Sequence, residues 1–361
     1  MDNAAEPAPT FSVLLPTHNR ADVLPVAIRS VLYQSQADFE LLIVGDGCTD
    51  RTSEVVREFV DPRIRWFDLP KAPNFGYANR NIALREARGK YIAFMAHDDL
   101  WLPDHLELLA GCLGEPQIEI AYTRPLWVIP PGCITPATFN LHDEATLELF
   151  LTRQRNAIPA GCVVHRRACF EKYGYWNEGL SSGADNELWA RIIKGGKGRN
   201  FAYLPEPTCL HFRANWRTEA NSGHLQLQVW KQLCAVENFM PPVLKVAVPE
   251  NQTEQEAVWQ TIAANPRDWT REVRRSIHTV IDKRMAVLDE LVSEVIRRNP
   301  AGRGDDVGLM DALVQLAPEL QHAETSLGWK MVRKLRAFKE RLIPHDTWRE
   351  KTWQSIAKRV R

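Results

Sequence analysis

Short apolar runs alternate with helical patterns through the first hundred residues. Phe11-Ser-Val-Leu-Leu15, Phe39-Glu-Leu-Leu-Ile-Val44, Arg63-Ile-Arg-Trp-Phe67 and Tyr91-Ile-Ala-Phe-Met95 read as strands, with Pro16 stopping the first. Val23–Leu32, Thr52–Phe59 and Tyr77–Ala87 read as the helices between them. This alternation predicts an α/β fold built on a doubly wound, mostly parallel sheet. Ligands of such sheets lie beyond the carboxyl ends of the strands. That rule selects Thr17-His-Asn-Arg20, Gly45-Asp-Gly-Cys-Thr-Asp50 and Ala96-His-Asp-Asp99 before any motif is considered. From Ile118 to Trp216 the pattern is irregular and rich in Pro and Gly, which reads as strands mixed with active-site loops. After Leu225 it turns helical, and Arg271–Arg298 carries one apolar stripe that Asn299-Pro300 ends. The segment Pro241–Asn265 reads as the passage between the two parts.

Composition narrows the class. The chain has 361 residues, with 45 Lys plus Arg against 45 Asp plus Glu, and is 45% hydrophobic. Those values fit an ordinary globular protein and exclude a disordered chain, a collagen-like fibre and a strongly basic nucleic-acid coat. No window approaches the ~20 apolar residues of a membrane-spanning helix. The acidic, Pro-rich start MDNAAEPAP does not read as a secretory signal. Seven scattered cysteines without a Cys-x-x-Cys pair point to reduced thiols in a cytoplasmic protein. The neutral total hides a polarity. Ser326–Arg361 holds eleven Lys or Arg and three Asp or Glu, a balance of +8, so the preceding residues carry −8.

Two acid clusters stand out. His97-Asp98-Asp99 follows a buried strand directly, and hard divalent cations such as Mg²⁺ or Mn²⁺ bind through one or two carboxylates plus substrate phosphates. A helix N-cap is the competing reading of Asp99. Asp185 opens a second amphipathic stretch containing Leu188, Trp189, Ile192 and Ile193, where an N-cap role competes with a chemical one. Gly45-x-Gly47 lacks the third glycine of a dinucleotide fingerprint, which disfavours a dehydrogenase.

Together these segments resemble inverting glycosyltransferases of family two, which have the GT-A fold, over roughly residues 10 to 216. The resemblance rests on Phe11–Arg20, Leu42–Asp50, Asn74-Phe-Gly76 with Arg80-Asn81, Gly89–Phe94, Ala96–Asp104, and Glu171–Glu178 followed by Ala184–Trp189. It implies a single displacement at the anomeric carbon of a nucleoside-diphosphate sugar, with Asp185 as general base on an acceptor hydroxyl. Pro16, Thr17, Asn19, Arg20, Asp46, Gly76, Arg80 and Asp98 would contact the nucleotide sugar. Asp98 and Asp99 would hold Mg²⁺ or Mn²⁺ against the diphosphate. Trp176 and Trp189 are candidates for a sugar platform. Three positions depart from the family pattern. Gly45 stands where an acid often contacts the base, Ala96 replaces the first acid of Asp-x-Asp, and Arg213-Ala-Asn215 stands for Arg-x-His, with His211 close by.

The expected organisation is a disordered start over 1–9, a GT-A domain over 10–240, a helical region over 241–325 and a basic amphipathic tail over 326–361. The expected role is cell-envelope polysaccharide or glycolipid assembly with a glycan or lipid-linked acceptor and no nucleic acid. Leu327, Met331, Leu335, Phe338 and Leu342 share one helical face amid basic residues, suited to an anionic membrane surface. This would make the protein peripheral on the inner face of the cytoplasmic membrane. A sugar nucleotidyltransferase is the competing enzyme, but Pro16–Arg20 lacks its glycine-rich loop. A non-catalytic glycan-binding or scaffold member of the same fold is the competing non-enzyme. Metal-dependent nucleotide binding separates it from a transferase.

Overall fold

The computed structural model describes residues 8–137, 139–153, 156, 158–212, 230, 234 and 239–298, with residues 145 and 283–298 as backbone only. The chain divides into two units, Met1–Phe212 with Ala247–Thr270, and Arg213–Val246 with Arg271–Arg361. Arg213, Asn215 and the basic tail lie outside the described residues, as does the expected disordered start apart from its last two residues.

The first unit is built on a nine-stranded sheet. In chain order it contains β1 Phe11–Thr17, α1 Leu24–Leu32, β2 Phe39–Asp46, α2 Thr52–Arg57, β3 Ile64–Leu69, α3 Tyr77–Arg85 and β4 Tyr91–Phe94. Then follow β5 Leu100–Trp101, α4 His105–Cys112, β6 Ile120–Ile129, β7 Cys133–Pro136, α5 Glu144–Leu151, β8 Val163–Arg166, α6 Ala168–Tyr173, α7 Ala184–Gly195 and β9 Phe201–Phe212. After an interruption, α8 Glu254–Ala264 completes it. The strand order is β3-β2-β1-β4-β8-β6-β9-β5, with β7 on β6. The pairs β3/β2, β2/β1, β1/β4 and β6/β9 are parallel, while β8 runs antiparallel to both its neighbours. This is the mostly parallel α/β architecture that the alternation predicts. Its central strands are covered on both faces, so all eight residues of β2 are buried, Glu40 among them.

The sheet explains where a ligand goes. β1 leads to β2 on one side, whereas β4 lies on the other side of β1. The loops after β1 and β4 therefore diverge from a switch point and leave a crevice between them.

Pro16 does not stop β1 as expected, because it pairs in register with Val44. β4 accompanies β1 only from Phe11 to Leu14, so no ladder partner is left waiting for the missing N–H at Pro16. The thiols also differ from expectation. Cys48, Cys112, Cys162, Cys169 and Cys209 are free, but Cys133 is disulfide-bonded.

The helix α9, Pro266–Arg298, covers the helix expected over Arg271–Arg298 and buries Val273, Ile277 and Val280, while the stripe beyond residue 282 lies outside the described side chains.

Candidate active site

Three loops meet at the carboxyl edge of β1, β2 and β4. The β1 loop is tied to the β2 loop by Asn19, whose backbone takes a left-handed φ of 50°. Its Oδ1 accepts from the Thr49 amide at 2.7 Å and the Asp50 amide at 3.3 Å. Asp50 in turn accepts from the amides of Thr52 at 3.0 Å and Ala21 at 3.2 Å. Arg20 pairs with Asp22 at 3.1 Å. Thr17 Oγ1 is buried with no hydrogen-bond partner among the described residues. The β4 loop is fastened to β1 through His97, whose Nδ1 donates to the Pro16 carbonyl at 3.2 Å. Burial lowers the His97 pKa, so the ring is held neutral rather than cationic.

Asp46, at the end of β2, is spent on protein contacts. Its carboxylate accepts from the Ala72 amide at 2.8 Å and Asn79 Nδ2 at 2.7 Å, and it pairs with Lys71. Gly76 opens α3 with φ 70°, and a Cβ there would lie 2.5 Å from Asp46 Oδ2. The glycine is thus required by both backbone and carboxylate. At Gly45 the added atom would lie 2.3 Å from the Trp66 indole, which fills the space an acid would occupy.

Arg80 projects from α3 and lies over two rings, 5.1 Å from the Tyr77 centroid and 5.0 Å from that of Trp176. Its Nε is buried and unpartnered, and its side chain makes no hydrogen bond among the described residues. Burial depresses the Arg80 pKa, opposed by Tyr77 and by the charges of Asp185 and Asp46. Asn81, the next residue, tethers the segment leading to Asp185. It donates to the Trp176 carbonyl at 2.9 Å and to Glu178 at 2.7 Å, and accepts from the Trp176 amide at 3.1 Å.

Asp185 is half-buried in the first turn of α7. Its Oδ1 accepts from the Asn186 amide at 2.8 Å, and no hydrogen bond occupies Oδ2 among the described residues. The preceding Ala184 amide donates to Tyr77 Oη at 3.5 Å, which links α7 to the helix bearing Arg80. Trp176 and Trp189 are buried, at 4% and 1% exposure, so neither ring offers a face to a sugar.

The adjacent acids separate. Asp98 accepts no hydrogen bond on its carboxylate among the described residues, follows β4 and is 8% exposed. Asp99 is turned inward. His211 Nδ1 donates to its two oxygens at 2.9 and 3.0 Å, and the Phe212 amide donates at 3.1 Å. Burial raises the Asp99 pKa, and His211 opposes that shift. Among the described residues no three His, Cys, Asp or Glu side chains converge as a metal cluster. A cation that takes substrate phosphates for most of its shell needs only one or two carboxylates, and Asp98 fits that demand.

Arg80 thus lies in electrostatic reach of Asp185 and Asp46, Thr17 ends β1 and Asp98 follows β4, while Asn19, Asp46, Gly76 and Asp99 mainly hold the loops in place. Lys71, Tyr77 and Asn79 were not singled out in the sequence, because their contacts depend on how α3 seats against β2.

Residues 12–176 match the family model for glycosyl transferase family 2. This segment belongs to that family. The family 2 segment has curated relatives. A UDP-Glc:alpha-D-GlcNAc-diphosphoundecaprenol beta-1,3-glucosyltransferase of Escherichia coli is 35% identical over 31% of this chain and 44% of its own. A putative teichuronic acid biosynthesis glycosyltransferase of Bacillus subtilis is 38% identical over 38% of this chain and 55% of its own. The chain spans about half the length of these two relatives and under a fifth of uncharacterized glycosyltransferases of Rickettsia felis and Rickettsia conorii. Among solved structures, Staphylococcus aureus TarS with UDP-GlcNAc gives a TM-score of 0.47 at 19% identity, over 57% of this chain and 59% of that one. The mannosyltransferase PcManGT of Pyrobaculum calidifontis with GDP-Man and Mn²⁺ gives 0.44 at 16%, over 91% and 84%.

Proposed function

We propose that this chain is an inverting glycosyltransferase that moves a sugar from a nucleoside diphosphate to an acceptor hydroxyl. The observation that carries the reading is Arg80, half-buried, with its Nε buried and without a hydrogen-bond partner among the described residues, in electrostatic reach of Asp185. A partly desolvated guanidinium with no hydrogen bond spent among the described residues fits a diphosphate, to which guanidinium donates two parallel hydrogen bonds. Thr17 Oγ1 supplies a further uncommitted polar atom at the same edge.

In this reading Asp185 takes the proton of the acceptor hydroxyl as that oxygen attacks the anomeric carbon. The bond to the diphosphate oxygen breaks on the opposite face, so the configuration inverts. Arg80 holds the departing diphosphate and disperses its charge. Mg²⁺ or Mn²⁺ would be held by Asp98, and would act as a Lewis acid toward the leaving group. Asp99, with both oxygens accepting from His211, serves to orient the turn instead. The acceptor is proposed to be a lipid-linked glycan of the cell envelope, in line with the E. coli and B. subtilis relatives. The basic segment 326–361 is proposed to draw the chain to anionic lipid, and loss of vesicle co-sedimentation on truncation near residue 324 tests this.

A panel of nucleoside-diphosphate sugars, read as diphosphate release with and without Mn²⁺, tests the main reading. Asp185→Asn should lower turnover by ~10²-fold or more while nucleotide binding survives. Turnover near that of the unaltered protein would remove Asp185 from the mechanism.

A further inference from the structure

The family match ends at residue 176, yet the turn bearing Asp98 is also held from outside it. The helix α8 packs on α1 through Arg29–Glu256 at 3.3 Å and an edge contact of Tyr33 with Trp259 at 5.7 Å. Thr253 caps α8, accepting from the Glu256 amide at 3.2 Å. This docking brings its first turn against two loops. Glu254 accepts from the Gly132 amide at 2.9 Å, between β6 and β7. Gln255 Nε2 donates to the backbone carbonyl of Asp98 at 3.3 Å.

We infer that Gln255 is a positioning residue for Asp98, so that α8 completes a donor site the family segment does not finish alone. The Asp98 carboxylate has no hydrogen bond of its own among the described residues, so its direction is set by its backbone. That backbone is pinned on three sides. The Asp99 amide donates to the Ala96 carbonyl at 3.2 Å, and the Asp99 carboxylate is locked by His211 and Phe212. The peptide between Asp98 and Asp99 is therefore held at both of its polar groups, its N–H by the Ala96 carbonyl and its C=O by the Gln255 carboxamide. α1, which α8 grips, begins just after the β1 loop, so one helix sets the spacing between the two loops that flank the crevice.

The inference rests on the metal role proposed for Asp98, and the experiment separates the two. Gln255→Met keeps length without a donor, and Gln255→Glu keeps shape but offers only acceptors to a carbonyl. Ala263→Ser, exposed on the same helix, is the control. UDP, GDP and dTDP are titrated into each full-length protein with and without MnCl₂. A single hydrogen bond is worth a factor of about three to ten in such an equilibrium. Both Gln255 variants should lose about that factor from the Mn²⁺-dependent part of nucleotide affinity, while the metal-free affinity and melting temperature hold. Amide exchange in the Ala96–Leu100 turn should quicken in both without ligand. An unchanged Mn²⁺ increment, or an equal loss of metal-free affinity, overturns the inference, as does unchanged exchange of the turn. Absence of any Mn²⁺ effect in the unaltered protein refutes the metal role of Asp98 instead, and the exchange measurement then judges Gln255 alone.

Discussion

Gly76→Ala should be among the most damaging methyl additions available in this protein. At φ 70° an alanine costs about 1–2 kcal/mol relative to glycine. Its Cβ would also sit 2.5 Å from Asp46 Oδ2 and 2.6 Å from Cγ, so the carboxylate must move. Moving it sacrifices at least one bond to Lys71, the Ala72 amide or Asn79, and a hydrogen bond to a charged group is worth about 1.5–3 kcal/mol. The total is about 3–5 kcal/mol, a large share of the ~5–15 kcal/mol that holds a typical domain. Gly111→Ala supplies the opposite sign. It lies in α4 with nothing within 4 Å of an added Cβ, and alanine gains up to about 1 kcal/mol over glycine in a helix. Urea unfolding followed by tryptophan fluorescence reads both. In an Asp46→Ala background the cost of Gly76→Ala should shrink to its backbone share of about 1–2 kcal/mol. A Gly76→Ala protein within 0.5 kcal/mol of the parent, by about the usual limit for neutral substitutions, would refute the packing described between α3 and β2.

Acid should destabilise the fold through two buried histidines. Burial depresses His105 to about 3 and His165 to about 4, whereas the unfolded chain takes a proton near 6.5. The unfolded state therefore binds more protons as pH falls, so this stability is whole above about 6.5 and drains away below it. From pH 7 to 5 the loss is about 2 kcal/mol for each ring, and His165→Phe should flatten the slope by close to one proton. A slope unchanged by that substitution would contradict the burial of His165. Asp98→Ala should abolish Mn²⁺-dependent nucleotide binding at an unchanged urea midpoint. Asp99→Ala should instead cost about 2–4 kcal/mol, because it strands His211 Nδ1 and the Phe212 amide. Equal behaviour of the two variants would count against their separate roles. Gly45→Ala should destabilise by forcing Trp66 aside, and restored stability in Gly45→Ala/Trp66→Leu would identify the indole as the cause.

The alternating first hundred residues were legible because each strand there is a continuous apolar run and each helix an amphipathic one. β1 to β4 and α1 to α3 fall within a few residues of their expected limits. The stretch after Ile118 was opaque for a physical reason. β6 and β9 are ten and twelve residues long, but Pro125, Pro205 and Pro207 interrupt their pattern. Those prolines sit where the register shifts, pairing Arg124 with Pro207 and Pro125 with Cys209, so the bulge absorbs the missing donors. Of the candidate site, the motifs located Arg80, Asp98 and Asp185 by residue type and order. They did not distinguish a free carboxylate from a spent one. Asp98 and Asp99 look alike in sequence, and only the pairing of β5 with β9 brings His211 to one of them. Gln255 carries no motif at all, since its importance arises from where α8 docks.

The cation held between Tyr77 and Trp176 has a consequence for evolution under heat. A guanidinium partly withdrawn from water, with no hydrogen bond among the described residues and carboxylates near it only at a distance, burdens the ligand-free fold, and an apolar residue of similar length commonly relieves such a burden. Selection for thermal survival alone would then favour Arg80→Met, and under the proposed role of Arg80 that sturdier protein would lose its grip on the donor. Retaining Arg80 under such selection requires that the donor itself be present, since occupancy then stabilises only the arginine form.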